Sequence, residues 1–148
     1  MSDWRSELTG VMGGRARLTR AEQENAEFEE FLDTVAMPSL SEVAEELSRK
    51  HGRDAQVRRA PASVTLCVRA GEVEEITFRV MKQFVQNGIL PRAEVRINRG
   101  TRFIKYDSMF KDDPQNYPIT EVTAEAIIGC FIRYYKMAMS SGQSGSAE

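Results

Sequence analysis

The stretch SVTLCVRAGEVEEITFRVMKQFVQNGILPRAEVRINRGTRFIKY, residues 63–106, decides the fold. Its apolar residues recur every second position. Val64, Leu66 and Val68 alternate with Ser63, Thr65, Cys67 and Arg69. Ile76, Phe78 and Val80 alternate with Glu75, Thr77, Arg79 and Met81, and Ala93, Val95 and Ile97 with Arg92, Glu94, Arg96 and Asn98. A period of two is that of a strand with one face buried. Turn residues separate the runs: Ala70-Gly71, Asn87-Gly88 and Asn98-Arg99-Gly100. Glycine and asparagine supply the positive φ that tight hairpin turns need. Thr101 to Tyr106 reads as a further strand, and Gln56-Val57-Arg58-Arg59, ended by Pro61, as an earlier one. Short strands joined by tight turns predict a five-stranded antiparallel meander, covered on one face only.

Outward from this stretch the period changes to that of a helix. Phe28, Phe31, Leu32 and Val35 fall at i, i+3, i+4 and i+7. The spacing predicts a helix over 21–36, kinked at Pro38 because proline lacks an N–H and clashes with the preceding turn. Ser39 and Glu42 have capping-box spacing, and Leu40, Val43 and Leu47 carry the stripe on to His51-Gly52. At the other end, Val122, Ala126, Ile127, Cys130, Phe131, Tyr134 and Ala138 mark one face of a helix over 121–139, beyond a polar loop over 107–119. The expected fold is α+β: a kinked N-terminal helix and a C-terminal helix packed on one face of the sheet. Phe78, Val95 and Phe131 are expected to meet in that interface.

The domain expected from these patterns spans 20–139. Residues 1–19 hold Gly10, Gly13 and Gly14 without a sustained apolar period and read as a flexible leader. Residues 140–148, SSGQSGSAE, read as a disordered tail. With 148 residues and 41% hydrophobic content, one domain can bury its core without disulfide or metal staples. No apolar run reaches the roughly 20 residues of a membrane helix, and the N-terminus has no signal-like apolar region. The expected setting is cytoplasmic, where Cys67 and Cys130 stay reduced.

The sequence holds no constellation that argues for catalysis. Its single histidine, His51, sits at a predicted helix C-terminus, where a cation complements the dipole. The cysteines have no metal-ligand spacing, Gly13-Gly14 opens no phosphate loop, and no cofactor is expected. A small enzyme with a site assembled from distant residues is the remaining catalytic reading.

Charge is segregated. The span 20–48 carries nine acids and one base, whereas 49–105 carries thirteen bases and five acids. Residues alternating with the core-facing set share the outer side of the sheet. That expectation places Arg58, Arg69, Arg79, Arg92 and Arg96 together, with Glu75 and Glu94 among them, an excess of three positive charges. These five arginines are the candidate partner-binding residues. Tyr106, Phe110 and Tyr117, in or near the long loop, are further candidates for a contact surface.

The order of helix, strands and helix resembles the double-stranded-RNA-binding domain in outline. That family begins its last helix with a lysine cluster, where this chain has Glu121 and Glu125, the wrong sign for phosphate. The stacking aromatics of RNA-recognition motifs are also missing from the predicted outer positions. Type III secretion chaperones are similar in being small, acidic α+β proteins, but they place a helix between their strands. The expected function is a non-enzymatic protein-interaction module whose partner is another protein or a second copy of itself. The alternative is a weak nucleic-acid or anion binder using the same basic face.

Overall fold

A computed structural model describes the backbone of residues 3–85, 88–110, 119 and 122–147. Side chains are described for 4–12, 22–84, 89–110, 119 and 122–140. Helix α1 (Asp3–Phe31) passes through a π-helical turn (Leu32–Ala36) into α2 (Met37–Lys50). Strands β1 (Asp54–Ala60), β2 (Ser63–Ala70), β3 (Val73–Val85), β4 (Gly88–Asn98) and β5 (Phe103–Met109) follow, and α3 (Ala124–Ala147) closes the chain. The five strands form one antiparallel sheet in the order β1-β2-β3-β4-β5. The helices pack on one of its faces, so the α+β meander read from the sequence is the fold.

The inner face of the sheet is the period-two set. Val64, Leu66, Val68, Ile76, Phe78, Val80, Ala93, Val95 and Ile97 are fully buried. Phe28, Phe31, Leu32 and Leu40 cover them from the first two helices, and Ile127 and Phe131 from α3. Phe78 meets Phe131 edge to face, with ring centroids 5.6 Å apart, a geometry in which the positive ring edge points at a negative ring face. Val95 lies opposite Phe78 in the β3–β4 register. The expected contact of Phe78, Val95 and the last helix is therefore present.

Pro38 does not break the helix. It occupies the second position of α2, and the π-helical turn just ahead of it widens the ladder where the proline N–H is missing. Ser39 makes no capping box. It is buried, and its hydroxyl donates to the Val35 carbonyl inside the continuous helix. The α2 terminus does follow expectation: Gly52 takes φ +65°, and the His51 and Arg53 amides donate to the Leu47 carbonyl.

The helices extend beyond the expected limits. α1 starts at Asp3 rather than Ala21, so helical backbone runs through Gly10, Gly13 and Gly14. Each glycine costs about 1 kcal/mol relative to alanine, too little to stop a helix already propagating from a packed end. α3 starts at Ala124, where the Thr123 hydroxyl accepts from the Ala126 amide at 3.2 Å, and its backbone stays helical to Ala147. Strand β5 runs past Tyr106 to Met109. Asn87, most of the expected loop (residues 111–118), Glu121 and Glu148 lie outside the described residues.

Candidate functional site

The sheet has a second face that no described element covers. Its residues follow from the pairing register. Arg58 lies opposite Thr65, Arg79 opposite Thr65 and Glu94, Arg96 opposite Thr77 and Lys105, and Arg92 opposite Met81 and Met109. Arg69 lies opposite Asp54 and Glu74. All five candidate arginines therefore share the outer face.

Their acidic neighbours differ from expectation. The register of β2 and β3 shifts between Val68 and Arg69. Glu74 pairs with Arg69 and Ile76 with Val68, which leaves Glu75 as the extra residue of a bulge. The bulge turns Glu75 to the helix side. There its Oε1 accepts from Arg53 Nε at 2.9 Å and from the Tyr135 hydroxyl at 2.8 Å. Glu75 thus ties α3 and the α2–β1 corner to the sheet. Burial, and then the hydrogen bond to Glu75, push the Tyr135 phenol up to about 12. The same carboxylate raises the Arg53 guanidinium.

Glu74 takes the outer position instead and binds Arg96 through both carboxylate oxygens, the shortest contact being 2.9 Å. Glu94 sits between Lys105 at 3.2 Å and Arg79 at 3.7 Å. Arg92 pairs with Asp107. The outer face therefore carries six bases (Arg58, Arg69, Arg79, Arg92, Arg96, Lys105) against four acids (Asp54, Glu74, Glu94, Asp107), an excess of two rather than three. Sequence reasoning missed Asp54, Glu74, Lys105 and Asp107 because parity along one strand does not reveal partners on the next.

Exposed pairs of this kind contribute about 0–1 kcal/mol each, so they decide where charge is free more than how stable the fold is. Among the described residues, Arg58 and Arg69 have no carboxylate at ion-pair distance. Arg69 Nη2 donates to the Glu72 carbonyl at 2.9 Å. Both arginines line a depression of about 430 Å³ with Gln56, Thr65, Cys67 and Thr77 on its floor and Asp54, Glu74 and Arg96 around it. Burial raises the Cys67 thiol above its ordinary range, which keeps it protonated and poorly nucleophilic. Beside the depression, the Arg96 guanidinium stacks over Phe103 at 4.7 Å, and Phe103 is 48% exposed.

The other aromatic candidates fall elsewhere. Tyr106 points inward, packs on Tyr134 at 5.6 Å, and accepts a hydrogen bond from Arg99 Nη2 at 3.1 Å. Phe110 packs against the core, and Tyr117 lies outside the described residues. Among the described residues, no three His, Cys, Asp or Glu side chains are grouped so as to hold a metal ion. No described helix is long and apolar enough to cross a membrane.

No family model, curated protein or solved structure matches the chain.

Proposed function

We propose that this chain is a non-enzymatic protein-interaction module whose contact surface is the outer sheet face, centred on Arg58 and Arg69. The observation that carries this reading is the pair of guanidiniums that, among the described residues, have no carboxylate partner and line a concave part of the outer sheet face. A guanidinium presents a planar fork of donors that matches a carboxylate in two-point contact. An acidic protein surface therefore suits the site. Phe103 beside it adds apolar area, and aromatic and arginine side chains dominate the energetics of protein interfaces. A reducing, cytoplasmic setting fits the free thiols of Cys67 and Cys130.

A phosphate backbone is the competing ligand for the same arginines. Asp54, Glu74, Glu94 and Asp107 interrupt the bases on four of the five strands, and such interleaving repels a continuous polyanion. The acidic protein surface is favoured for that reason.

Arg92 and Arg96 are not clean probes, since reversing either one strands Asp107 or Glu74. The double substitution Arg58→Glu with Arg69→Glu removes charge that no described carboxylate needs. Capture of proteins from the native host at low salt, after nuclease treatment, should fall at least about tenfold for this variant. Undiminished capture would show that the outer face is only solvated. Loss of all capture on nuclease treatment, with nucleic-acid affinity falling steeply as salt rises, would assign the face to nucleic acid instead.

A further inference from the structure

The helix layer carries a second surface that neither the sheet face nor the core accounts for. Between α2 and α3 runs an apolar groove of about 330 Å³, floored by Val43, Leu47, Ile128, Phe131 and Tyr135. On its open side Ile132 is 45% exposed. Glu42 and Glu46 form its acidic rim. At the opposite end of the chain, every residue of α1 from Trp4 to Met12 is exposed. Trp4, Leu8 and Val11 fall at i, i+4 and i+7 with Met12 beside them, and all four are more than half exposed. They therefore form an apolar strip that none of the described residues is shown to cover.

We propose that the N-terminal arm of α1 docks in the α2–α3 groove of a second copy of this chain. The lengths agree. Trp4 to Met12 spans about 12 Å along α1, and the groove's wall on α2, from Glu42 to His51 just past the helix end, spans about 13 Å. The charges are complementary. Residues 3–20 hold Arg5, Arg15, Arg17 and Arg20 against Asp3 and Glu7, whereas residues 22–51 hold nine acids against Arg49 and Lys50. These two bases pair with Glu45 and Glu46, so that Glu42 is the rim carboxylate with no ion pair among the described residues. A basic helix laid on an acidic-rimmed apolar groove is a recurrent mode of recognition, anchored at i, i+4 and i+7 positions. The arm also needs a partner. A glycine-containing helix of this length is marginal in water without tertiary packing. Its own groove is out of reach while α1 remains one continuous helix ending at Phe31. Reciprocal exchange between two copies uses both arms and both grooves and closes the assembly as a two-fold dimer.

Light scattering and sedimentation of the full chain at about 100 µM test this. The wild type should be a dimer. Leu8→Asp with Val11→Asp in the arm, or Ile132→Glu in the groove, should each weaken dimerisation at least about tenfold while the urea midpoint of the monomer, measured at low protein concentration, stays unchanged, since all three side chains are exposed. Mixing the two variants, one of them tagged, should yield a heterodimer. One intact arm still meets one intact groove, and its affinity should exceed that of either variant for itself. A monomeric wild type, including one with the arm folded back on its own groove, overturns the proposal. So does a dimer that Ile132→Glu leaves intact, which would mean arm-to-arm pairing, or a mixture that forms no heterodimer. The sheet-face variant Arg58→Glu with Arg69→Glu should dimerise like the wild type, so loss of partner capture and loss of dimer are read separately.

Discussion

Phe131 is the residue on which the two layers turn. It is 1% exposed, meets Phe78 edge to face and stacks on Tyr135 at 5.3 Å. Phe131→Ala should cost about 3–5 kcal/mol through lost burial and an unfilled cavity. Urea unfolding checks this, and a loss below about 1 kcal/mol would mean that α3 is not docked on the sheet. Tyr135 gives a pH signature. Its phenol is ordinarily near 10 and is held up to about 12 in the folded chain. A raised value means that folding favours the protonated form. The corresponding stability is complete below the unfolded value near 10 and is lost as pH rises through about 12. Wild type should therefore lose more stability than Tyr135→Phe between those limits, and parallel curves for the two would refute the Glu75 contact. The contact of Phe78 with Phe131 was legible in the sequence because both lie on apolar stripes of known period. The contact of Tyr135 with Glu75 was not, because parity puts Glu75 on the other face.

At the scale of elements, the strands were legible and the irregularities between them were only half so. A two-residue turn at Gly71-Glu72 sets Ala70 opposite Val73 and Arg69 opposite Glu74. Glu74 must then face outward and Ile76 inward, although both are even-numbered, and only an inserted residue reconciles the two. The bulge at Glu75 follows from this turn together with the apolar pattern; it was not legible because the sequence signal set the turn one residue early, at Ala70-Gly71. The turn at Pro38 shows the reverse. The missing N–H was legible, but whether the helix breaks or widens depends on the packing of Leu32, Ala36 and Leu40, which are all fully buried. That packing holds the helix in one piece. The arm of α1 escaped notice because its apolar residues are few and interrupted by glycines. Removing residues 1–18 should leave the unfolding free energy of the monomer within about 0.5 kcal/mol, since the described side chains there are exposed. A larger drop, measured below the dimer dissociation constant, would show that the arm packs on its own domain.

For the whole molecule, the arrangement separates charge by layer. Acids concentrate on α1 and α2, bases on the sheet, and a single apolar core lies between them. A net charge of −2 conceals this, because the two surfaces nearly cancel. The placement of all five candidate arginines on one face was legible from alternation alone. Their unequal availability was not, because it depends on which carboxylates the neighbouring strands bring opposite them. Arginine-specific modification with phenylglyoxal, read by mass spectrometry on the complex with a captured acidic partner, measures that availability residue by residue. Arg58 and Arg69 should be protected by the partner, while Arg49, an exposed residue paired to Glu45 on the far side of the molecule, keeps the reactivity it has in the free chain. Equal reactivity of Arg58 and Arg69 with and without the partner would contradict the outer sheet face as the contact surface.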